Sequence, residues 1–186
     1  ITLPENYVVA ATGNLQTPSE KKWINKKAKK TKRRYQFDPY DYEVPESSED
    51  KKTIRYTIDS AHDFAWFADK RYHVLKDSII LSNSGEKVVS WAFFTNQQAE
   101  MWQNTTDYIN TALQRFSSWY GTYPFDNCKA VLGAEGSSGN NMEYPGITVI
   151  GHQGNRFQLE EVIVHEVAHN WFYGMLGFNE RRYPYL

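Results

Sequence analysis

"VIVHEVAHNWFYG", residues Val162 to Gly174, places an H-E-x-x-H pattern in an apolar setting. His165 and His169 are four apart, so on a helix both lie on one face and can point at one ion. Zinc accepts imidazole nitrogen at about 2.0–2.1 Å. Glu166 lies about 100° round a helix of 3.6 residues per turn, where it can approach a water on that ion without becoming a ligand. A carboxylate so placed takes the water's proton and later passes it to a leaving amine, while the metal polarises the scissile carbonyl. Val162, Ile163 and Val164 precede the motif, Val167 and Ala168 fill its open positions, and no Pro or Gly interrupts it. A catalytic zinc takes three protein ligands and a water, so two ligands are in view and a third has to be sought.

Working outward, the motif belongs to a helix predicted from about Phe157 to Met175. Ahead of it come a strand, "GITVIG" (Gly146–Gly151), a Gly/Ser/Asn loop, "AEGSSGNN" (Ala134–Asn141), and a strand, "CKAVLG" (Cys128–Gly133). Trp102, Thr105, Ile109, Ala112, Leu113, Phe116 and Tyr120 mark one face of an earlier helix ended by Gly121. Before Thr95 the period is two: "KKTIRYTID" alternates Ile54, Tyr56 and Ile58 with polar residues, and "DFAWFAD", "RYHVLKDSIIL" and "EKVVSWAFF" follow, with a turn at Asn83–Gly85. "YVVAAT" (Tyr7–Thr12) is a further strand, with Gly13-Asn14 as its turn. Such spacing indicates an antiparallel sheet or part of a sandwich. The change of period predicts a boundary near residues 93–97, with a β-rich module over 1–95 and a helix-containing one over 96–186. The fold class is α+β.

The 21 basic and 22 acidic residues nearly cancel, so no global field draws in nucleic acid or an anionic membrane. Nine basic residues concentrate in Lys21–Arg34, read as a solvated helix or long loop, with an anionic-ligand patch as the alternative. Asp38–Asp50, with two prolines and paired serines, reads as loop. No apolar run approaches the roughly 20 residues of a membrane span. A single cysteine, Cys128, cannot form an internal disulfide and is read as a packing residue. The chain opens directly in strand-like sequence without Met, which is expected of a piece of a longer protein.

"NNMEYPGI" (Asn140–Ile147), followed shortly by the H-E-x-x-H helix, resembles the aminopeptidase N-like zinc metallopeptidases, gluzincins related to leukotriene A4 hydrolase. That family carries a G-x-M-E-N exopeptidase signature on an edge strand ahead of the zinc helix, in a thermolysin-like domain that follows an N-terminal β domain. The resemblance, which is specific from about Thr95 onward, implies zinc ligands at His165 and His169 and a general base at Glu166. It puts the peptide-binding signature at Asn141, Met142 and Glu143, with Glu143 gripping a substrate's free α-amine. Asn140 replaces the signature's first Gly and Tyr144 its final Asn, which alters how the edge strand presents its backbone. The family's third ligand, a glutamate, would fall two positions beyond Leu186, and its oxyanion-stabilising tyrosine further still. The expectation is an incomplete chain that is inactive alone, holds zinc weakly and offers an uncovered apolar helix face for self-association.

Elsewhere His62 and His73 read as surface or core residues and His152 as a loop histidine. Asn104 matches a glycosylation acceptor but falls within the predicted helix. The readings to separate are a zinc aminopeptidase acting on peptides, a non-catalytic homologue that binds peptides or partner proteins in the same cleft, and a polyanion binder acting through Lys21–Arg34.

Overall fold

The structure, a computed structural model, describes residues 1–32, 37–136, 139–177, 179, 182 and 183. Arg33 and Arg34 of the basic run, Ser137 and Ser138 of the Gly/Ser/Asn loop, and Leu186 lie outside the described residues.

The amino-terminal apolar residues form β1 (Thr2–Pro4), β2 (Val8–Ala11) and β3 (Asn14–Leu15). Gly13 joins the last two with φ +79°, and a Cβ there would lie 2.2 Å from the Thr57 carbonyl oxygen, so only glycine fits. The basic run is helical: α1 (Pro18–Lys32) buries Ile24, Ala28 and Thr31 on one stripe and turns most of its lysines to solvent. Residues 38–50 carry no helix or strand, as their prolines and serines indicated. β4 (Lys51–Thr53), β5 (Tyr56–Thr57) and β6 (Trp66–Asp69) pair antiparallel with β1, β3 and β2 respectively. The single strand predicted over residues 51–59 is therefore split. Ile54 is buried against Leu3 and Val9 while its N–H donates to the Ile1 carbonyl, and the Arg55 N–H is taken by the Thr17 hydroxyl.

β7 (His73–Ile80) and β8 (Lys87–Phe94) form an antiparallel hairpin. A 3-10 turn at Asn96–Gln98 leads into α2 (Ala99–Trp102) and α3 (Thr105–Tyr120). The continuous helix expected here is interrupted at 103–104, and Asn104 is exposed at the α3 N-cap position rather than inside a helix. β9 (Asn127–Leu132), β10 (Met142–Tyr144), β11 (Ile147–Ile150) and α4 (Arg156–Ala168) complete the order.

Five strands join in one sheet, β10-β11-β9-β8-β7. The hairpins β7/β8 and β10/β11 are antiparallel, but β8/β9 and β9/β11 run parallel. Parallel neighbours need a crossover, which α2 and α3 supply between β8 and β9. The fold is α+β, as the sequence indicated. Strand alternation gives the sheet two buried faces. Ala92, Phe94, Ala130, Leu132 and Ile150 pack under α2, α3 and α4 through Trp102, Leu113, Leu159 and Ile163. Val74, Phe93, Val131 and Ile147 pack with Val8, Ala10, Ile24 and Ala28 on the other side. Each buried Val, Leu, Ile or Phe among them contributes about 1.5–3 kcal/mol by leaving water.

α4 ends sooner than predicted. Its regular bonds stop at Ala168, and His169, still helical at φ −61° and ψ −15°, is the C-cap. Shorter-range bonds from Asn170 to Val167 and from Trp171 to Ala168 tighten the last turn. Tyr173 then takes φ +120°, which ends the helical path. Gly174 passes so close to Asn170 that a Cβ would sit 2.5 Å from the Asn170 carbonyl oxygen.

Candidate metal centre

Asn155 opens α4: its side-chain Oδ1 accepts the Gln158 N–H at 3.0 Å, satisfying one of the helix's unpaired donors. Leu159, Ile163 and Val167 anchor the helix to the sheet. That choice of face fixes the rest: Glu166 is buried, His165 exposed and His169 between the two. The helix therefore lies on the core with its histidine edge open, and the motif is less enclosed than its apolar flanks suggested.

The Nε2 atoms of His165 and His169 are 3.2 Å apart. Two nitrogens bound tetrahedrally at 2.0–2.1 Å from one zinc would be separated by about 3.3 Å, so the pair has the bite that such an ion requires. The other nitrogen of His169, Nδ1, lies 3.1 Å from the Phe172 carbonyl oxygen. Donation from Nδ1–H to that oxygen leaves the Nε2 lone pair bare, the tautomer a metal ligand needs.

Glu143 reaches the same place from β10, an edge strand whose turn back into β11 is Pro145-Gly146. Ligand atoms of Glu143, Glu166 and His169 all lie within 4.8 Å of one another. Glu143 Oε1 is 3.7 Å from His169 Nδ1, an ion pair when the imidazole is protonated. Burial pushes the Glu166 carboxyl up to about 7, and the nearby Glu143 carboxylate pushes it the same way; His169 and the Thr148 hydroxyl oppose this more weakly. Glu166 Oε2 is buried and, among the described residues, has no hydrogen-bond partner. Two histidine nitrogens at a metal bite, beside a carboxyl group whose oxygen is unclaimed, fit a zinc ion with an adjacent proton acceptor.

Other residues singled out in the sequence take supporting places. Asn141 Oδ1 accepts the Gly151 N–H at 2.9 Å, and the Met142 carbonyl accepts the Thr148 hydroxyl at 3.0 Å, so both stiffen the hairpin. Tyr144 packs on Phe67 of β6, with ring centroids 6.2 Å apart, which accounts for an aromatic residue at a position where the signature has Asn. Asn140 is exposed and borders a cavity of about 710 Å³ together with Val149 and His152. His62 stacks edge-on against Tyr173 at 4.3 Å, and His73 bonds Asn96 Oδ1 through Nε2 at 2.6 Å. Cys128 is buried, and desolvation pushes its thiol up to about 11.

Sequence reasoning missed Asn170 and Thr148. Asn170 Oδ1 accepts the Gly146 N–H at 3.0 Å, while its Nδ2 donates to the Val167 carbonyl at 3.0 Å. Thr148 faces Glu143 across the β10/β11 pair. Its signal was a lone hydroxyl inside an otherwise apolar strand.

No family model matches the sequence, and no curated protein matches it. The fold is similar to crystal structures of M1 zinc metallopeptidases. One is a two-domain enzyme in mutant form bound to L-arginine, 18% identical with a TM-score of 0.60. Another, from Deinococcus radiodurans, is 19% identical with a TM-score of 0.57. Each match covers 92% of this chain and 32% of the other, so the chain spans about a third of the length of the proteins it resembles in fold.

Proposed function

We propose that the chain carries part of the catalytic centre of a zinc-dependent aminopeptidase. The observation that carries this reading is the 3.2 Å approach of the His165 and His169 Nε2 atoms beside the buried Glu166. His165 and His169 would hold zinc, which supplies a Lewis acid for a peptide carbonyl. Glu166, buried beside that pair with an unclaimed carboxyl oxygen, would take a proton from the attacking water and deliver it to the departing amine. Glu143 accepts hydrogen bonds from the α-ammonium of the substrate, a charge-assisted contact that selects a free amino terminus. The outer edge of β10 offers backbone groups to an extended peptide, with Asn141 and Met142 shaping that edge.

The modules that frame this centre are a β-rich amino-terminal one and a thermolysin-like one. The division between them is put at residues 95 and 96, and the β8/β9 ladder joins the two in one sheet.

The reading is tested by zinc titration against a chromophoric chelator. One zinc per chain is expected, with affinity lowered at least about tenfold in His165→Ala and in His169→Ala. Zinc uptake unchanged in both variants would overturn it.

A further inference from the structure

On the opposite face of the sheet from His165 and His169, a cavity of about 380 Å³ lies between β8 and β9 on one side and α1 and β3 on the other. Strand register builds its floor. Lys76 of β7 is opposite Trp91 of β8, and Trp91 is opposite Lys129 of β9. The three side chains form a row across adjacent strands, with the two lysines about 10 Å apart at strand spacings of 4.7–4.9 Å. Lys76 Nζ sits 4.7 Å from the centre of the Trp91 ring, and Trp91 stacks on Phe93 with only 22° between the ring planes. A flat aromatic wall thus runs between two ammonium groups.

Lys129 is unusual in being a buried cation that, among the described residues, touches no carboxylate. Its Nζ donates to the Gly13 carbonyl at 2.9 Å and to Asn127 Oδ1. Among the described residues no carboxylate lies within ion-pair distance of Lys129, Lys76 or Lys21, all of which line the cavity. Asp126, the acidic residue in the lining, is occupied: its Oδ2 accepts from Asn14 and its Oδ1 from Asn127. Lys76 Nζ is held at the rim by Asn25 Oδ1 at 2.7 Å. A buried ammonium whose direct partners are neutral oxygens is costly. An entering anion would supply the missing partner.

We propose that this cavity binds a small aromatic carboxylate, its carboxylate on Lys129, its ring against Trp91 and Phe93, and Lys76 adding positive charge at the rim. A monoanion suits the site better than a phosphate dianion because Asp126 adds a negative charge to the same wall. The cavity's size falls within the range of small-molecule sites. The site is independent of the zinc centre, since it uses the other face of the sheet. Burial lowers the Lys129 ammonium to about 8, so binding near pH 8.5 carries a proton uptake as the ligand restores the charge.

The test is titration of the 186-residue chain with 1-naphthoate, followed by tryptophan fluorescence and calorimetry. Saturable one-to-one binding is expected, at least about tenfold tighter than that of neutral 1-naphthamide. Lys129→Met and Lys76→Met should each weaken it by about tenfold or more, whereas Lys30→Met on the outer face of α1 should leave it unchanged. Circular dichroism establishes whether Lys129→Met is folded, and the rim variant Lys76→Met carries the test if it is not. Absence of saturable binding, or equal affinity in the wild type and every folded lysine variant, would overturn the proposal. Inorganic phosphate binding as tightly as naphthoate would overturn the aromatic part of the assignment.

Discussion

Asn170 Oδ1 receives the Gly146 N–H at 3.0 Å, tying the residue after His169 to the turn of the hairpin that carries Glu143. One buried hydrogen bond therefore sets the distance between the helix and the edge strand. Replacing Asn170 with Ala leaves the Gly146 donor unpaired inside the protein, at a cost of about 1–3 kcal/mol. Urea unfolding should show that loss, and Asn170→Asp, which keeps the acceptor oxygen, should recover part of it. Equal stability of the wild type and Asn170→Ala would show that the hairpin is held by other contacts.

Glu166 is assigned the proton transfers. In the active enzyme Glu166→Gln preserves shape but removes the base, so peptide hydrolysis should drop by about 10²–10⁴ while zinc content stays the same. Turnover at the wild-type rate would remove Glu166 from the mechanism.

Glu143 is assigned to the substrate's amine. Glu143→Ala should reduce kcat/KM for aminoacyl anilides and narrow the gap between free and acetylated amino termini, with zinc affinity changed less than in the histidine variants. A preference for free amines that survives the substitution intact would refute this role.

Lys129 predicts an alkaline rise in stability. Its folded pKa, about 8, lies below the ordinary lysine value of 10.5, so between those values the unfolded chain binds a proton that the native one does not. Stability then increases with pH, by up to about 1.4 kcal/mol per unit. Cys128, raised from 9.0 to about 11, acts in the opposite direction once the unfolded thiol ionises. The buried hydroxyls of Tyr56, Tyr72 and Tyr123, also raised, do so above pH 10. The rise should thus appear between pH 8 and 9, flatten, and reverse above 10. Burial also lowers Lys27 and Lys76, so urea unfolding of Lys129→Met across this range should show a smaller rise; an identical profile would mean that Lys129 is not the group responsible.

The elements that were legible in the sequence carry a local signal. H-E-x-x-H marked a helix because its spacing is helical, and the alternation in Lys87–Phe94 marked a strand. Pairing was hidden because a parallel ladder such as β8/β9 depends on residues that lie far apart in the chain. Asn170 was invisible for a similar reason: it fell inside the predicted helix, and its partner Gly146 is known only once the hairpin is docked. No local signal singled out Lys129, which is buried because both faces of β9 are covered. The end of α4 was placed too late because Trp171, Phe172 and Tyr173 continue the apolar pattern, whereas the chain direction is set by the positive φ at Tyr173.

The central position of β9 also orders the assembly of the molecule. β11 has no sheet neighbour but β9 and β10, and β9 reaches β8 only after the chain has travelled through α2 and α3. Contacts across such sequence separations form slowly, because the intervening loop must be closed before they stabilise anything. In refolding experiments, helical signal should therefore return ahead of hydrogen-exchange protection at the β9 amides, and the interval between them times the docking of the central strand.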